Sequence, residues 1–353
     1  MTEGQSLPTA GRLLRLVDGM AGRRVAMVVD LVADRFIAGT PKRISREAPV
    51  LILRYEGERL APGGGANAVA NVAALGGVPL PVGVVGDDAN GHELVAALAA
   101  LGTETAGIQV RPGYRTPTKV RIVGGARHAI KQQIVRYDIE DVLTLTDAER
   151  AALVSPLAGW AAGPAPAPTV AVLSDYGYGA VDPALVPAVR RALGEGCRLI
   201  GDSRYRLGEL AGLDGATPNE EEADALLGEP FDGDPARLEA AGDSLRRRLG
   251  TRFVLVTRGS RGMSLFAADG SAHLPVHGTD QVADVTGAGD TVIGTFALAL
   301  AAGASPLEAA LLADYAGGVV VMKMGTATLT PEELKAAVAA DPKPIAELRW
   351  ARS

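Results

Sequence analysis

Short, continuously apolar runs recur along the chain at residues 25–29, 80–85, 170–173, 198–201 and 253–257, with helical patterns between them. Runs this short and this apolar are buried on both faces, as strands of a parallel sheet are when helices cover both sides. Alternation of such strands with helices restricts the chain to an α/β fold with a mostly parallel central sheet. Ligands of such sheets collect at the carboxyl ends of the strands, so Asp30 and Asp34, after the first run, are placed to meet one. Residues 50–55, 108–110, 118–123 and 133–137 read differently, as alternating polar and apolar positions separated by turns. They predict a small β-sheet standing off the main domain. The expected organisation is a tail with a short helix over 1–24, one domain over 25–340 with sheet strands inserted at 42–60 and 106–138, and a tail over 341–353.

Composition excludes several classes. A formal charge of −6 argues against nucleic acid as a partner, though it leaves room for a local basic pocket. The single cysteine, Cys197, precludes an intramolecular disulfide, and four histidines without a close His pair argue against zinc. No run reaches the roughly 18 apolar residues of a membrane span, and the N-terminus lacks a signal peptide's apolar core. The expectation is a cytoplasmic enzyme with no membrane partner.

The chemistry concentrates in Asp284-Val285-Thr286-Gly287-Ala288-Gly289-Asp290-Thr291, ahead of a long apolar run. It predicts a turn feeding a buried helix, with the N–H groups of Ala288, Gly289 and Asp290 free at the helix start, where the dipole favours an anion. Asp290 in the same turn is placed to take the proton of an attacking hydroxyl. Donors for a phosphoryl group beside a base for its acceptor describe a phosphotransfer site; an acidic cap after a glycine turn is the plain alternative. Upstream, Pro62-Gly63-Gly64-Gly65-Ala66-Asn67 opens a helix, with glycines that let a sugar approach backbone and Asn67 to hydrogen-bond it. Gly63-x-Gly65-x-x-Ala68 also fits a dinucleotide fingerprint, but residues 56–62 do not read as the buried strand that fingerprint requires. Asp34 is a candidate for gripping sugar hydroxyls. Arg115, Lys119, Arg121, Arg127, Lys131 and Arg136 make the small sheet basic, as edge protection or as a seat for a phosphate already on the substrate. Period-two geometry puts Lys119 and Arg121 on one face.

The octet resembles the C-terminal signature of the ribokinase-like (PfkB) carbohydrate kinases, and Gly63-Gly64-x-x-Asn67 is similar to their N-terminal one. The resemblance runs over residues 25–335 and implies a three-layer α/β/α domain with a β-sheet lid. It implies Asp290 as catalytic base and the backbone of Gly287, Ala288 and Gly289 as anion hole. It assigns Asp34, Gly64, Gly65, Asn67, Lys119, Arg121, Arg136 and Asp175 to the substrate. To ATP it assigns Asn219, Glu222, Thr257, Gly259, Gly262 and Thr286, with Asn219 and Glu222 holding Mg2+ largely through water. An ordinary capped acidic helix start also accounts for residues 217–222. Segments 33–36, 45–49, 62–67, 116–121, 132–138 and 173–176 are similar to the subgroup that phosphorylates D-glycero-D-manno-heptose 7-phosphate at C1. Family members use the lid as a dimer face, so a homodimer is implied; monovalent-cation activation stays open. Val29, Tyr178 and Arg204 depart from the subgroup's glycine and two lysines, which keeps open the same chemistry on another sugar or sugar phosphate. A non-catalytic sugar- or nucleotide-binding regulator is the alternative of another class, and intact Asp290, Asn219 and Glu222 argue against it.

Overall fold

The computed structural model describes residues 7–125, 132–231, 235–278 and 283–351. In chain order its strands are β1 (Arg24–Val29), β2 (Leu31–Ile44), β3 (Leu51–Gly64), β4 (Val78–Gly86), β5 (Ile108–Arg111), β6 (Thr118–Gly124), β7 (Gln132–Ile139), β8 (Val170–Asp175), β9 (Arg198–Ser203), β10 (Gly215–Ala216), β11 (Phe253–Thr257), β12 (Met263–Ala267), β13 (Gly270–Leu274) and β14 (Arg349–Ala351). The α-helices are α1 (Ala10–Asp18), α2 (Gly65–Ala74), α3 (Ala89–Ala100), α4 (Asp147–Ala162), α5 (Val186–Leu193), α6 (Glu220–Leu227), α7 (Pro235–Leu249), α8 (Ala288–Ala301), α9 (Pro306–Val320), α10 (Pro331–Ala340) and α11 (Lys343–Ala346).

The main sheet runs β14-β13-β12-β11-β10-β9-β8-β1-β4-β5, parallel from β11 to β5 and antiparallel from β11 to β14. β1 shows why both faces are covered. Val25, Met27 and Val29 point into one core with α1, α2, α8 and α9, whereas Ala26 and Val28 point into the other with α4, α5 and α7. Period-two side chains on a fully buried strand require helices on both sides, and the result is a three-layer α/β/α domain. Helix α8 is buried on every side from Asp290 to Ala301, as expected of a helix apolar all round.

A second sheet, ordered β3-β2-β6-β7, forms the lid. It begins earlier than residue 42: the chain leaves β1 at Asp30 and continues directly into β2, so Asp34 and Arg35 are lid residues. Residues 108–110 are not part of it, because β5 pairs in parallel with β4 at the edge of the main sheet. Nor is the end of the described chain a tail, since β14 pairs with β13 and extends the main sheet. Residues 56–62 are a strand after all, but an exposed antiparallel one in the lid, so the Gly63–Ala68 fingerprint still lacks its buried parallel strand.

Candidate active site

Four segments converge at the carboxyl ends of β1 and β8: the start of α8, the start of α2, the loop after β8, and the inner face of the lid. Gly287 makes the entry to α8 with φ +79, a left-handed conformation that L side chains avoid. A Cβ there would also fall on the Asn67 amide nitrogen. Asp290, one turn in, is 2% exposed. Its Oδ2 accepts a hydrogen bond from Asn67 Nδ2 at 3.1 Å, and its Oδ1 accepts one from the Tyr176 hydroxyl at 2.5 Å. Burial pushes its carboxyl up to about 7, against the hydrogen bonds from Tyr176 and Asn67 and the charge of Lys119; Asp34 adds to the rise. A base with that pKa changes state near neutral pH, where general-base catalysis is most effective. The amides around it are not all open. The N–H of Ala288 donates to Val285 O at 3.2 Å, which removes it from the expected anion hole. The N–H groups of Gly289 and Asp290 find no acceptor among the described residues.

The glycine corner between β3 and α2 has steric reasons of its own. A Cβ at Gly63 would lie 2.6 Å from Asp34 Oδ2, and one at Gly65 would lie 2.6 Å from Val29 Cβ. The corner therefore sits directly against β1 and Asp34. Gly64 carries φ +51. Asn67 at the start of α2 faces Asp290, and Asn71 one turn later donates to Asn67 Oδ1 at 3.2 Å. That bond sets the Asn67 amide with its nitrogen toward the carboxylate. Asn71 was not singled out from sequence; its i+4 spacing from Asn67 is the available signal.

On the lid, Arg121 forms a buried ion pair with Asp34. Burial raises the Asp34 pKa and the Arg121 charge opposes the rise. Lys119 is half-buried and sits 5.3 Å from the centroid of the Tyr176 ring. Burial lowers its pKa, and among the described residues it has no ion-pair partner. A half-buried ammonium without a carboxylate partner suits an incoming anion. Arg136 pairs with Asp138 and Arg115 with Asp141, so these two charges are locally neutralised. Arg127 and Lys131 lie outside the described residues. Asp175, expected at the substrate, borders the cleft described below and accepts from Ser203 Oγ at 2.7 Å and Arg206 Nη2 at 2.8 Å, contacts that tie two strand ends together.

A cleft of about 380 Å3 opens on the other side of Asp290, lined among others by Tyr176, Asp202, Arg204, Asn219, Glu222, Thr257 and Gly289. Asn219 and Glu222 form a reciprocal capping box at the start of α6: Asn219 Oδ1 accepts from Glu222 N, and Glu222 Oε2 accepts from Asn219 N, each at 2.9 Å. Asp202, at the end of β9, joins Asp175, Glu221 and Glu222 among the acids lining the cleft, and had no role assigned from the sequence alone. Its pKa is driven well up by burial, then by the charges of Glu222 and Asp290; burial likewise raises Glu222. Acids this close disfavour one another's ionisation, and a cation would relieve them. No group of three or more candidate ligands is arranged to hold a metal among the described residues, so a cation here would be completed by water and ligand oxygens. Gly259 and Gly262, with φ +55 and +79, shape the turn between β11 and β12, which Arg258 and Arg261 tie to Glu220; neither glycine lines the cleft. Thr286 also lies elsewhere, on a cavity of about 1100 Å3 under the lid with Phe36, Arg59 and Arg121.

Comparison with known proteins follows the same outline. The sequence profile of the pfkB family carbohydrate kinases matches residues 24–333. The chain is 40% identical over 337 residues to the bifunctional protein HldE of Mesorhizobium japonicum, covering 94% of this chain and 65% of that protein. It is 42% identical over 335 residues to HldE of Halorhodospira halophila, covering 93% and 66%. The chain thus spans just under two thirds of the length of these relatives. Among solved structures it is similar to phosphofructokinase-2 from Escherichia coli in complex with substrates and products, with a TM-score of 0.72 at 20% identity over 90% of this chain and 99% of that one. It is also similar to Arabidopsis thaliana ribokinase complexed with ribose and ATP, with a TM-score of 0.68 at 21% identity over the same shares. At these identities the two structures speak for the fold.

Proposed function

Because the chain belongs to the pfkB family of carbohydrate kinases, we propose that it transfers the γ-phosphoryl group of ATP to the C1 hydroxyl of D-glycero-D-manno-heptose 7-phosphate, giving the 1,7-bisphosphate used to make ADP-heptose. The observation that carries the reading is Asp290: a buried carboxylate held by Asn67 and Tyr176, with the open amides of Gly289 and Asp290 beside it. Similarity to the HldE relatives supports the choice of sugar.

In this mechanism the C1 oxygen attacks the γ-phosphorus while its proton passes to the Asp290 carboxylate. The new O–P bond forms as the bond to the β-phosphate's bridging oxygen breaks, and ADP leaves with that electron pair. The transition state is loose and spreads charge over the transferred oxygens, so positioning and electrostatics carry catalysis. The Gly289 and Asp290 amides and the Lys119 ammonium lie where that charge develops. Asp34, Gly64, Gly65 and Asn67 orient the sugar, Arg121 fixes Asp34, and Arg136 lies at the lid's outer edge. Thr257 borders the nucleotide cleft, with Gly259 and Gly262 shaping the adjacent turn. Mg2+, held through Asn219, Glu222, water and the nucleotide's own oxygens, would neutralise charge on the β- and γ-phosphates. The lid excludes water that would otherwise take the phosphoryl group.

The organisation we infer is one kinase domain over residues 25–340 bearing an inserted lid, acting in the cytoplasm. No described helix is long and apolar enough to cross a membrane. Ile134, Val135 and Tyr137 are exposed on edge strand β7, and Ile44, Leu51 and Tyr55 on β2 and β3, which supports homodimerisation through the lid. One observation favours a second reading, the same chemistry on another sugar phosphate. Tyr178, where the subgroup has lysine, is buried and donates to Glu140 Oε1 at 2.9 Å, so it brings no positive charge to the substrate.

The test is ADP release from Mg-ATP with heptose 7-phosphate, fructose and ribose phosphates, and free sugars. Selective turnover of the heptose 7-phosphate is expected. Turnover of a different sugar would discard the proposed acceptor, and tight binding without turnover of any would discard the kinase mechanism.

A further inference from the structure

The loop after β8 is organised so that a single phenol reaches Asp290. Asp30, 1% exposed at the end of β1, accepts the N–H groups of Tyr176 at 2.8 Å, Tyr178 at 2.9 Å and Ala180 at 2.9 Å. Gly177 and Gly179, with φ +83 and +90, let the chain wrap round that carboxylate. From this pinned loop the Tyr176 hydroxyl donates to Asp290 Oδ1 at 2.5 Å, while its ring lies under Lys119 and against Gly64. Asn67 donates to the other oxygen from the opposite side. A carboxylate on a helix is otherwise free to turn about its Cβ–Cγ bond, since that torsion is broad and two-fold. Here two donors from separate elements hold both of its ends.

We propose that Tyr176 is a positioning residue for phosphoryl transfer: its hydroxyl fixes the Asp290 carboxylate in the orientation and the ionised state that receive the acceptor's proton. This rests on Asp290 being the base. The direction of donation is set by the surroundings. Burial, then the charges of Asp290, Asp202 and Glu222, hold the phenol far from ionising, so it stays a donor. The groups facing Asp290 are mixed: Asp34 on β2 and Asp202 on β9 oppose its ionisation, and Lys119 on β6 favours it. Among all influences that keep Asp290 ionised, the Tyr176 hydrogen bond is the largest. The loop is held from outside as well, since Gly179 admits the Leu143 backbone, whose N–H donates to Tyr178 O at 2.8 Å.

The test reads Asp290 directly. In protein labelled with 13C at aspartate carboxyls, the signal lost in Asp290→Asn identifies the group, and no acceptor sugar is needed. Tyr176→Phe keeps the ring and removes the donor. Its Asp290 titration is expected to move up by about one to two pH units, leaving roughly ten- to a hundred-fold less base at a fixed pH below the limb. The acid limb of kcat/KM should move with it while the KM for ATP holds. Fluorotyrosine at 176, a stronger donor, should move both down, and that arm decides the matter should the Phe variant fold poorly. A purely structural role would lower activity equally at every pH with the Asp290 titration unmoved, and that result overturns the proposal. A titration that shifts as expected, in a protein that turns over no sugar, supports the contact and counts against the function proposed above.

Discussion

Gly287 and Gly289 stand two residues apart in one motif, yet the structure gives them different jobs, and alanine at each should fail differently. Gly287→Ala places an L residue at φ +79, which costs about 1–2 kcal/mol. Its Cβ would also fall on Asn67 Nδ2, nearer than van der Waals contact allows. To make room the amide must retreat by about 1 Å, and its bonds to Asp290 Oδ2 and Gly287 O, now 3.1 and 3.2 Å, pass out of range. Losing a hydrogen bond to a charged group adds about 1.5–3 kcal/mol, so a stability loss of about 2.5–5 kcal/mol is expected. The proposed base, Asp290, would be left with Tyr176 alone, and a displacement of that size at the group proposed to take the proton is expected to lower kcat on the order of a hundred-fold.

Gly289→Ala meets nothing within 4 Å and lies in the first turn of α8, where alanine is the better helix former by up to about 1 kcal/mol. This variant should melt no lower than the parent. Its methyl group enters the cleft that Gly289 lines, so the loss should appear in the KM for ATP and in turnover. Denaturant melts and ADP-release kinetics on the two variants decide the matter. A Gly287→Ala protein with parental stability and kcat, or a Gly289→Ala protein destabilised as much as its neighbour, would refute the division of labour.

Glu222→Gln keeps the capping box, because glutamine at the third helical position also reaches back to the Asn219 N–H; the melting temperature should hold while the Mg2+ concentration for half-maximal activity rises several-fold in a titration of rate against Mg2+. Arg121→Met leaves Asp34 buried without its partner and should cost about 3–5 kcal/mol in denaturant unfolding, most of it recovered when Asp34→Leu is added. Asp314 on α9 is buried with Oδ2 unpartnered, and burial lifts its pKa from 3.8 to about 8. A raised folded-state pKa gives stability that is full below pH 3.8 and lost as pH climbs to about 8. Asp314→Asn should therefore gain on the parent as pH rises from 5 to about 8 and level off above it in thermal melts, and a pH-independent difference would contradict the assignment.

How much of this was legible in the sequence depended on whether the signal was local. The parallel strands β1, β4, β8 and β11 announce themselves, because burial on both faces leaves a continuous apolar run. Strand β5 does not. Its half-exposed edge position gives it the same alternation as the lid strands, and only the partner it finds, β4, assigns it to the main sheet. Strand β14 is three residues long and gains its meaning from β13. The lid's early start was hidden for a similar reason: Asp30 interrupts the apolar run, yet the backbone stays extended through it into β2. In the site, the octet was readable because its constraint acts on the backbone, where glycine has few substitutes. Tyr176 and Asp290 are 114 positions apart, and nothing in either neighbourhood names the other.

Residues 219–222 show why a bland reading and a functional one need not compete. The capping box was a sufficient account of Asn219 and Glu222 in the sequence, and the structure contains it in full. But the cap uses Asn219 Oδ1 and Glu222 Oε2, and it turns the pair toward a cleft that also holds Asp202. Stability alone would favour capping this helix without collecting carboxylates that raise one another's pKa. Their retention in one cleft beside Asp290 is a cost that folding does not require, and a bound cation and nucleotide would offset it. The cap holds Asn219 and Glu222 rigid at the cleft, so the feature that made the structural reading adequate is the same one that the proposed ligand role would use.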